Sequence, residues 1–319
     1  MQYTPHHFNP AVTGETLPDG SVACDLVDTK GRKTMYVYDP KVIFAINVAM
    51  ASHRPLLLAG EPGSGKTSVA RNAARVLRWP YYEQTISSRT QASDLVWEFD
   101  SLQRLNDAYH RTRHILDDAY YVVPGKLWWA MDPVTAERRG MDEIEPQYRV
   151  KDPVERVPGD DRGHAVVLLD EIDKADPDVP NDLLEVLDRR SFHVKDKVIS
   201  ATRKDMLIIL STNGERELPG AFVRRCVTFR FPDPTQAWFT EVANRWYGAA
   251  RAALHSAVAA KLMDSRRQAR EAGVRQPGTA EYLDAVSACH DLGIDTASTE
   301  WQALERCVFR KQSTLEREA

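Results

Sequence analysis

The chain has 319 residues, of which 43% are hydrophobic, enough to bury one large core or two, so wholesale disorder is excluded. Its formal net charge is −4, from 42 Lys and Arg against 46 Asp and Glu, which gives no global pull toward nucleic acid, although local basic patches stay open. Cys24, Cys226, Cys289 and Cys307 are scattered, with no CxxC pair and no His at zinc-ligand spacing, and read as free thiols of a reducing cytoplasm.

Residues 1–39 are rich in Pro, Gly, Asp and Thr and lack an apolar signal core at 1–10. They read as an N-terminal extension that packs on the segment after it, with 35–38 alternating as an edge strand or small hairpin. Pro40 opens an apolar-periodic helix through Met50. Leu56-Leu57-Leu58-Ala59 is a short apolar strand, followed by a Gly-rich turn and a helix over 67–77, the opening of an α/β unit. A strand is expected over 81–86. A helix is expected over 94–116, with Leu95, Phe99, Leu102, Leu105 and Tyr109 along one face. Residues 121–163 read as irregular and charged. Apolar strands come next at 165–169, 206–210 and 227–231, with a helix over 179–189 between the first two. Pro232 and Pro234 mark a boundary, beyond which the chain is Ala-rich and helical. No apolar run approaches the roughly 20 residues that span a bilayer, so a cytoplasmic protein without a membrane segment is expected.

Gly60-Glu61-Pro62-Gly63-Ser64-Gly65-Lys66-Thr67 matches G-x-x-x-x-G-K-[ST], with a strand before it and a helix after it. Glycines let backbone N–H groups curl around a polyanion, and the helix start adds its positive end. Lys66 is expected to reach the β- and γ-phosphates. The Thr67 hydroxyl is a hard oxygen ligand suited to Mg²⁺. The phosphate-binding set is assigned to Gly60, Glu61, Pro62, Gly63, Ser64, Gly65, Lys66, Thr67 and the adjoining Ser68. Such a loop reads phosphates rather than the base. The run 166–169 is an apolar strand ending in Asp170 and Glu171. Asp170 suits a magnesium role and Glu171 the polarisation of attacking water, against the bland reading of a solvated acidic turn. Asn213 ends the next strand, where its amide can orient that water, against the bland reading of a turn residue before Gly214.

These motifs resemble those of an AAA+ ATPase, with Walker A at 60–67, Walker B at 166–171 and a sensor Asn at 213. More narrowly, the chain is similar to the MoxR branch. The resemblance rests on 170–175 with 182–187, on Val122-Val123-Pro124-Gly125-Lys126-Leu127, on 218–225, and on 275–283. It covers roughly 40–300. It implies an α/β fold: a P-loop NTPase αβα sandwich with a five-stranded parallel sheet over 40–232, with an insertion around 117–163. A small all-helical lid occupies 233–319. It also implies ATP and Mg²⁺ as cofactors and a homo-oligomeric ring, usually a hexamer. Thr67 and Asp170 would hold the metal. Lys66, Glu171 and Asn213 would be catalytic. Arg225, with Arg224 as alternative, would be the arginine finger that enters the neighbouring subunit's site; the bland reading of the pair is a basic surface patch. Arg275 would contact the γ-phosphate from the lid.

Some features depart from that pattern. No aromatic–apolar–Gly pore loop stands out, and Trp128-Trp129 reads either as its nearest equivalent or as core or interface anchors. Residues 189–195 look like half of a hairpin before the sensor strand. Their basic character suits either solvent or nucleic acid. His6-His7 reads as a polar terminus rather than a metal pair.

Three functions are weighed. The first is ATP-driven remodelling of a protein partner, with a von Willebrand A-domain protein implied by the MoxR resemblance; relatives with the 94–100 type of helix occur in multi-gene bacterial defence or conflict systems. The second is an assembly switch or scaffold with slow hydrolysis. The third is a nucleic-acid motor, which the net charge disfavours.

Overall fold

The computed structural model describes residues 6–17, 19–27, 33–109, 116–154 and 163–309. Three short strands come first: β1 (Glu15–Thr16), β2 (Val22–Val27) and β3 (Lys33–Tyr38), sheet order β1-β2-β3. The helix α1 (Pro40–Ser52) is next. Asp39 accepts from the Lys41 N–H at 2.7 Å, and Pro40 occupies the first turn, where no N–H is missed. Asn47 of α1 uses its whole amide. Its oxygen accepts from the N–H groups of His7 (2.9 Å) and Phe8 (3.0 Å), and its nitrogen donates to the carbonyls of Phe8 (2.7 Å) and Ile43 (2.9 Å). Phe8 is thereby pinned in the core, edge-on to Tyr38 with ring centroids 5.3 Å apart.

The chain divides into two compact units, one of Met1–Cys24, Tyr36–Ala59 and Thr67–Arg230, the other of Asp25–Met35, Gly60–Lys66 and Phe231–Ala319. The first is built on β4 (Leu56–Ala59), α2 (Lys66–Leu77) and β5 (Tyr81–Thr85). Then come α3 (Ala92–Val96), β6 (Trp97–Phe99), α4 (Ser101–Tyr109), β7 (Val122–Pro124), α5 (Lys126–Met131) and α6 (Pro133–Glu137). The remaining elements are β8 (His164–Asp170), α7 (Asp178–Arg189), β9 (Ser191–Val194), β10 (Lys197–Ser200), β11 (Asp205–Thr212), α8 (Gly220–Arg225) and β12 (Val227–Arg230). Five strands form a parallel sheet in the order β12-β4-β11-β8-β5. Ala165–Leu169 are fully buried, because helices cover both faces of a parallel sheet, and this is why the strand reads as an unbroken apolar run.

The expectation of one helix over 94–116 is corrected. Trp97–Phe99 leave the helix and pair antiparallel with Val122–Pro124, a conformation that suits two aromatic residues. Gly125 allows the approach: its N–H reaches the Val96 carbonyl at 2.7 Å, and a Cβ there would sit 2.5 Å from the Leu95 carbonyl. Leu95 enters the core, whereas Leu102, Leu105 and Tyr109 are exposed, so the apolar face read from the sequence is not one packed surface. Residues 110–115 lie outside the described residues. The region 121–163 also differs from an irregular loop. All of Leu127–Met131 on α5 is buried, and the Met131 carbonyl accepts from Thr202 and Arg203 N–H at 3.0 and 3.2 Å. Residues 155–162 of that expectation lie outside the described residues.

The second unit carries the helices α9 (Gln236–Tyr247), α10 (Ala252–Glu271), α11 (Thr279–Asp291) and α12 (Glu300–Val308) around Phe239, Val258, Leu262, Tyr282 and Val286. Inside it, His255 Nδ1 meets Asn244 Oδ1 at 2.8 Å and His255 Nε2 meets His290 Nε2 at 2.9 Å. With the Asn244 oxygen accepting, Nδ1 carries the His255 proton, so Nε2 accepts from His290. Among the described residues no helix is long and apolar enough to cross a membrane.

Asn47→Ala strips the Phe8 and His7 N–H groups of their acceptor, and about 2–4 kcal/mol of stability should be lost in denaturant unfolding. Burial, then the neighbouring imidazole and Arg251, hold the His255 pKa below its ordinary 6.5. Burial, then Arg251, lower that of His290. The unfolded chain therefore binds protons here that the folded chain refuses. Stability should be intact above the ordinary imidazole range and fall as pH drops through it, a loss that His255→Gln with His290→Gln should reduce in thermal melts at pH 5 and 7.

Candidate active site

In-register pairing of Thr212 with Ala59 and of Leu210 with Leu169 sets the C-terminal ends of β4, β11 and β8 side by side, where open α/β sheets bind ligands. Thr67, on the first turn of α2, donates from Oγ1 to Asp170 Oδ2 at 3.0 Å. Ser211, buried on β11, donates to the other oxygen, Oδ1. Both oxygens of Asp170 are thus oriented by hydroxyl groups. Glu171 comes next with φ of 61°, a left-handed conformation that costs a residue with a Cβ about 1–2 kcal/mol. Its N–H donates to Ser211 Oγ at 2.9 Å. Its carboxylate accepts from Asn213 Nδ2 on Oε1 (3.1 Å) and from Lys174 Nζ on Oε2 (2.8 Å). The Lys174 pKa is raised, first by that hydrogen bond. Asp173 accepts the Glu215 N–H at 2.9 Å and so ties the loop after Asn213 to the turn after Glu171.

The Gly-rich loop, Gly60–Lys66, belongs to the second unit. Gly63 and Gly65 take φ of 79° and 94°, which only glycine adopts without strain. Lys66 is nearly buried and folds back, donating to the carbonyls of Gly60 (2.7 Å) and Glu61 (2.9 Å). Ser64 closes the turn through its N–H on the Glu61 carbonyl at 3.2 Å. Thr279 donates to the Gly63 carbonyl, and a Cβ on Gly63 would lie 2.8 Å from the Thr279 nitrogen. Arg266, buried on α10, bonds Glu61 and donates to the Pro277 carbonyl at 2.7 Å. Arg275 is exposed beside Glu281 at 3.6 Å. Pro62 adjoins Gly63 in the loop, and Ser68 continues α2, half-buried.

Arg224 and Arg225 end α8 and are exposed. Arg225 pairs with Asp188 at 2.9 Å. Arg54 donates to the carbonyls of both arginines, an outside cap on the negative end of the helix. Trp128 and Trp129 are core residues: Trp128 donates from Nε1 to Thr135 at 3.0 Å and meets Phe192 edge-on at 5.5 Å. The basic stretch 189–195 lies on the end of α7 and in the β9–β10 hairpin. Within it Arg189 lies 2.9 Å from Glu185 and Lys195 lies 4.0 Å from Asp118, and Arg190 donates to the carbonyls of Arg203 and Lys204, so its charge is largely answered within the chain.

This strand order, with G-x-x-x-x-G-K-T after β4 and Asp-Glu at the end of β8, defines a P-loop nucleoside-triphosphatase fold. Residues 55–226, more than half of the chain, match the model of the AAA domain, dynein-related subfamily, and the protein belongs to that family of ATPases. Comparison with curated proteins finds no match. Among solved structures, "a putative ATPase from Cytophaga hutchinsonii" is similar with a TM-score of 0.40 and 14% identity, over 76% of this chain and 70% of that one.

Sequence motifs alone assign no role to Ser211, Lys174, Arg54 or Arg266. The period of two along a strand puts Ser211 on the same side as Asn213, a signal that points to it. Lys174 stands three residues after Glu171, one helical turn away. Arg54 and Arg266 bond groups distant in sequence, and no local pattern marks them.

Gly63→Ala should cost at least about 1–2 kcal/mol, from its left-handed φ and the contact at Thr279. Gly220→Ala, in open space on the first turn of α8, should be neutral or stabilising by up to about 1 kcal/mol, as read in paired thermal melts.

Proposed function

We propose that the protein hydrolyses ATP with Mg²⁺ in a ring of subunits, a hexamer in the form usual for the MoxR branch, and couples the cycle to remodelling or activating a protein partner. The observation that carries the reading is the pairing of Thr67 with Asp170 and of Asn213 with Glu171 at the ends of neighbouring strands. A hydroxyl and a carboxylate 3.0 Å apart fit Mg²⁺, which takes one or two protein oxygens and completes its shell with water and phosphate. Mg²⁺ bound there would neutralise phosphate charge. The N–H groups of Gly60–Thr67, except at Pro62, which has none, would cradle the phosphates, with Ser68 continuing the helix start, while Lys66 exchanges its two carbonyl partners for phosphate oxygens. Glu171 would accept a proton from the attacking water, held by Asn213 on one oxygen, and must exchange Lys174 for that water on the other.

Arg225, or Arg224 beside it, would reach the γ-phosphate held by the neighbouring subunit. The Arg225–Asp188 pair is more than half exposed on both sides, and pairs of that kind contribute about 0–1 kcal/mol, so Arg225 leaves it readily. Arg275 would act on the γ-phosphate from its own lid. A von Willebrand A-domain protein in a bacterial conflict or defence system is the partner that the MoxR resemblance favours, with the cytoplasm as the setting. A slow assembly switch is a second reading, favoured by the engagement of both Glu171 oxygens, by Asn213 and by Lys174.

ATP turnover per subunit, followed with particle size over a wide range of protein concentration, separates these readings. The remodeller predicts a rate that climbs as the particle grows and is lost in Arg225→Ala; the switch predicts assembly with a slow, flat rate. Lys66→Ala should lose nucleotide binding, and Glu171→Gln should bind nucleotide while turnover falls by at least about 100-fold.

A further inference from the structure

We infer that Ser211 is the positioning residue of the magnesium side of this site, setting the direction of the Asp170 carboxylate and the backbone turn of Glu171 through one hydroxyl; this rests on the magnesium-nucleotide reading above. Ser211 is fully buried on β11, next to β8 in the sheet. A serine hydroxyl has one proton to give and two lone pairs to offer. Here the proton goes to Asp170 Oδ1 and a lone pair takes the Glu171 N–H at 2.9 Å. The two bonds run in one direction, N–H to hydroxyl to carboxylate, so each polarises the next, and the second is charge-assisted.

The consequence is geometric. With Oδ1 held by Ser211, the carboxylate plane is fixed, and Oδ2 is the oxygen left facing Thr67, the other hard oxygen donor, at 3.0 Å. The same hydroxyl supports Glu171 in its left-handed conformation, where φ is 61° and a local preference for another conformation must be outweighed. One buried side chain therefore couples the residue that would face the metal to the residue that would face the water. Asn213, two residues on, then meets a carboxylate whose backbone is already placed.

The test is nucleotide affinity of the full chain, measured with a fluorescent ATP analogue, with Mg²⁺ and with excess EDTA. The quantity read is the ratio of the two affinities, which needs no turnover. In Ser211→Ala the affinity in EDTA should stay within about twofold of wild type, while the gain on adding Mg²⁺ should shrink by about tenfold or more. Ser211→Thr, which restores the hydroxyl, should recover most of the gain. A purely structural role would lower both affinities together or neither, and either result overturns the inference, as does an unchanged ratio. Should Ser211→Ala not fold, Ser211→Cys, similar in size but a weak donor, is read in its place with the same expectation. Failure of the wild-type chain to bind nucleotide at all would overturn the function reading and the inference together; binding by wild type with an unaltered ratio in the variants would overturn the inference alone.

Discussion

Parallel pairing of β4, β11 and β8 is the constraint on which the first unit depends. Ile209 faces Leu56 on one side and Leu168 on the other, and from that register the three strands end beside one another. A one-residue slip would turn every apolar side chain of β11 to the opposite face and would carry Ser211 and Asn213 away from Asp170 and Glu171. The burial that fixes register is large: Leu56, Leu58, Leu168, Leu169, Ile209 and Leu210 are all fully buried, and each such side chain contributes about 1.5–3 kcal/mol. The polar groups at the strand ends contribute far less, so packing places them and they then refine one another's angles.

That division explains how a strained backbone persists at Glu171. A left-handed residue there is disfavoured by about 1–2 kcal/mol, and Glu171 has no side-chain cap in its own turn to offset it. Support comes instead from β11, through Ser211 on the N–H, and from the residue just past its end, Asn213, on the carboxylate. Lys174, on the next turn of the chain, completes the set. The conformation is over-determined by a rigid neighbouring strand, the circumstance in which strained residues survive at functional positions.

The parts of this arrangement legible in the sequence are those with a local signature. The strands at 56–59, 165–169 and 206–210 are visible because burial on both faces demands continuous apolar runs, and the glycine loop is visible because positive φ demands glycine. The single helix expected over 94–116 does not form, for a physical reason. Leu95, Phe99, Leu102, Leu105 and Tyr109 are spaced for one helix face, but pairing of Trp97–Phe99 with Val122–Pro124 depends on residues some 25 positions away, and Gly125 makes that approach possible. Trp128-Trp129 shows the converse: composition leaves them between an exposed loop and a core anchor, and only packing against Phe192 decides it. Ser211 sits between the two cases. Its type is unremarkable, and its place on the strand, two before Asn213, is readable from period alone.

Among the described residues, exposure separates the ion pairs that can part readily from those that cannot. Arg225 and Asp188 are both more than half exposed, so water replaces either partner at little cost and the arginine can turn to another anion. Arg266 pairs with Glu61 while its side chain is 5% exposed, and it also donates to the Pro277 carbonyl. Breaking that contact would leave an uncompensated buried charge, a loss of about 3–5 kcal/mol, so the pair holds the loop within its own unit. Lys174 and Glu171 lie between these limits, at 38% and 27% exposure. Such a pair holds the carboxylate when nothing else offers a proton or a hydrogen bond, and yields when a better donor enters. For the water-activating role proposed for Glu171 that intermediate strength is useful: tighter pairing would keep Oε2 occupied, and none at all would leave the carboxylate held by Asn213 on Oε1 alone.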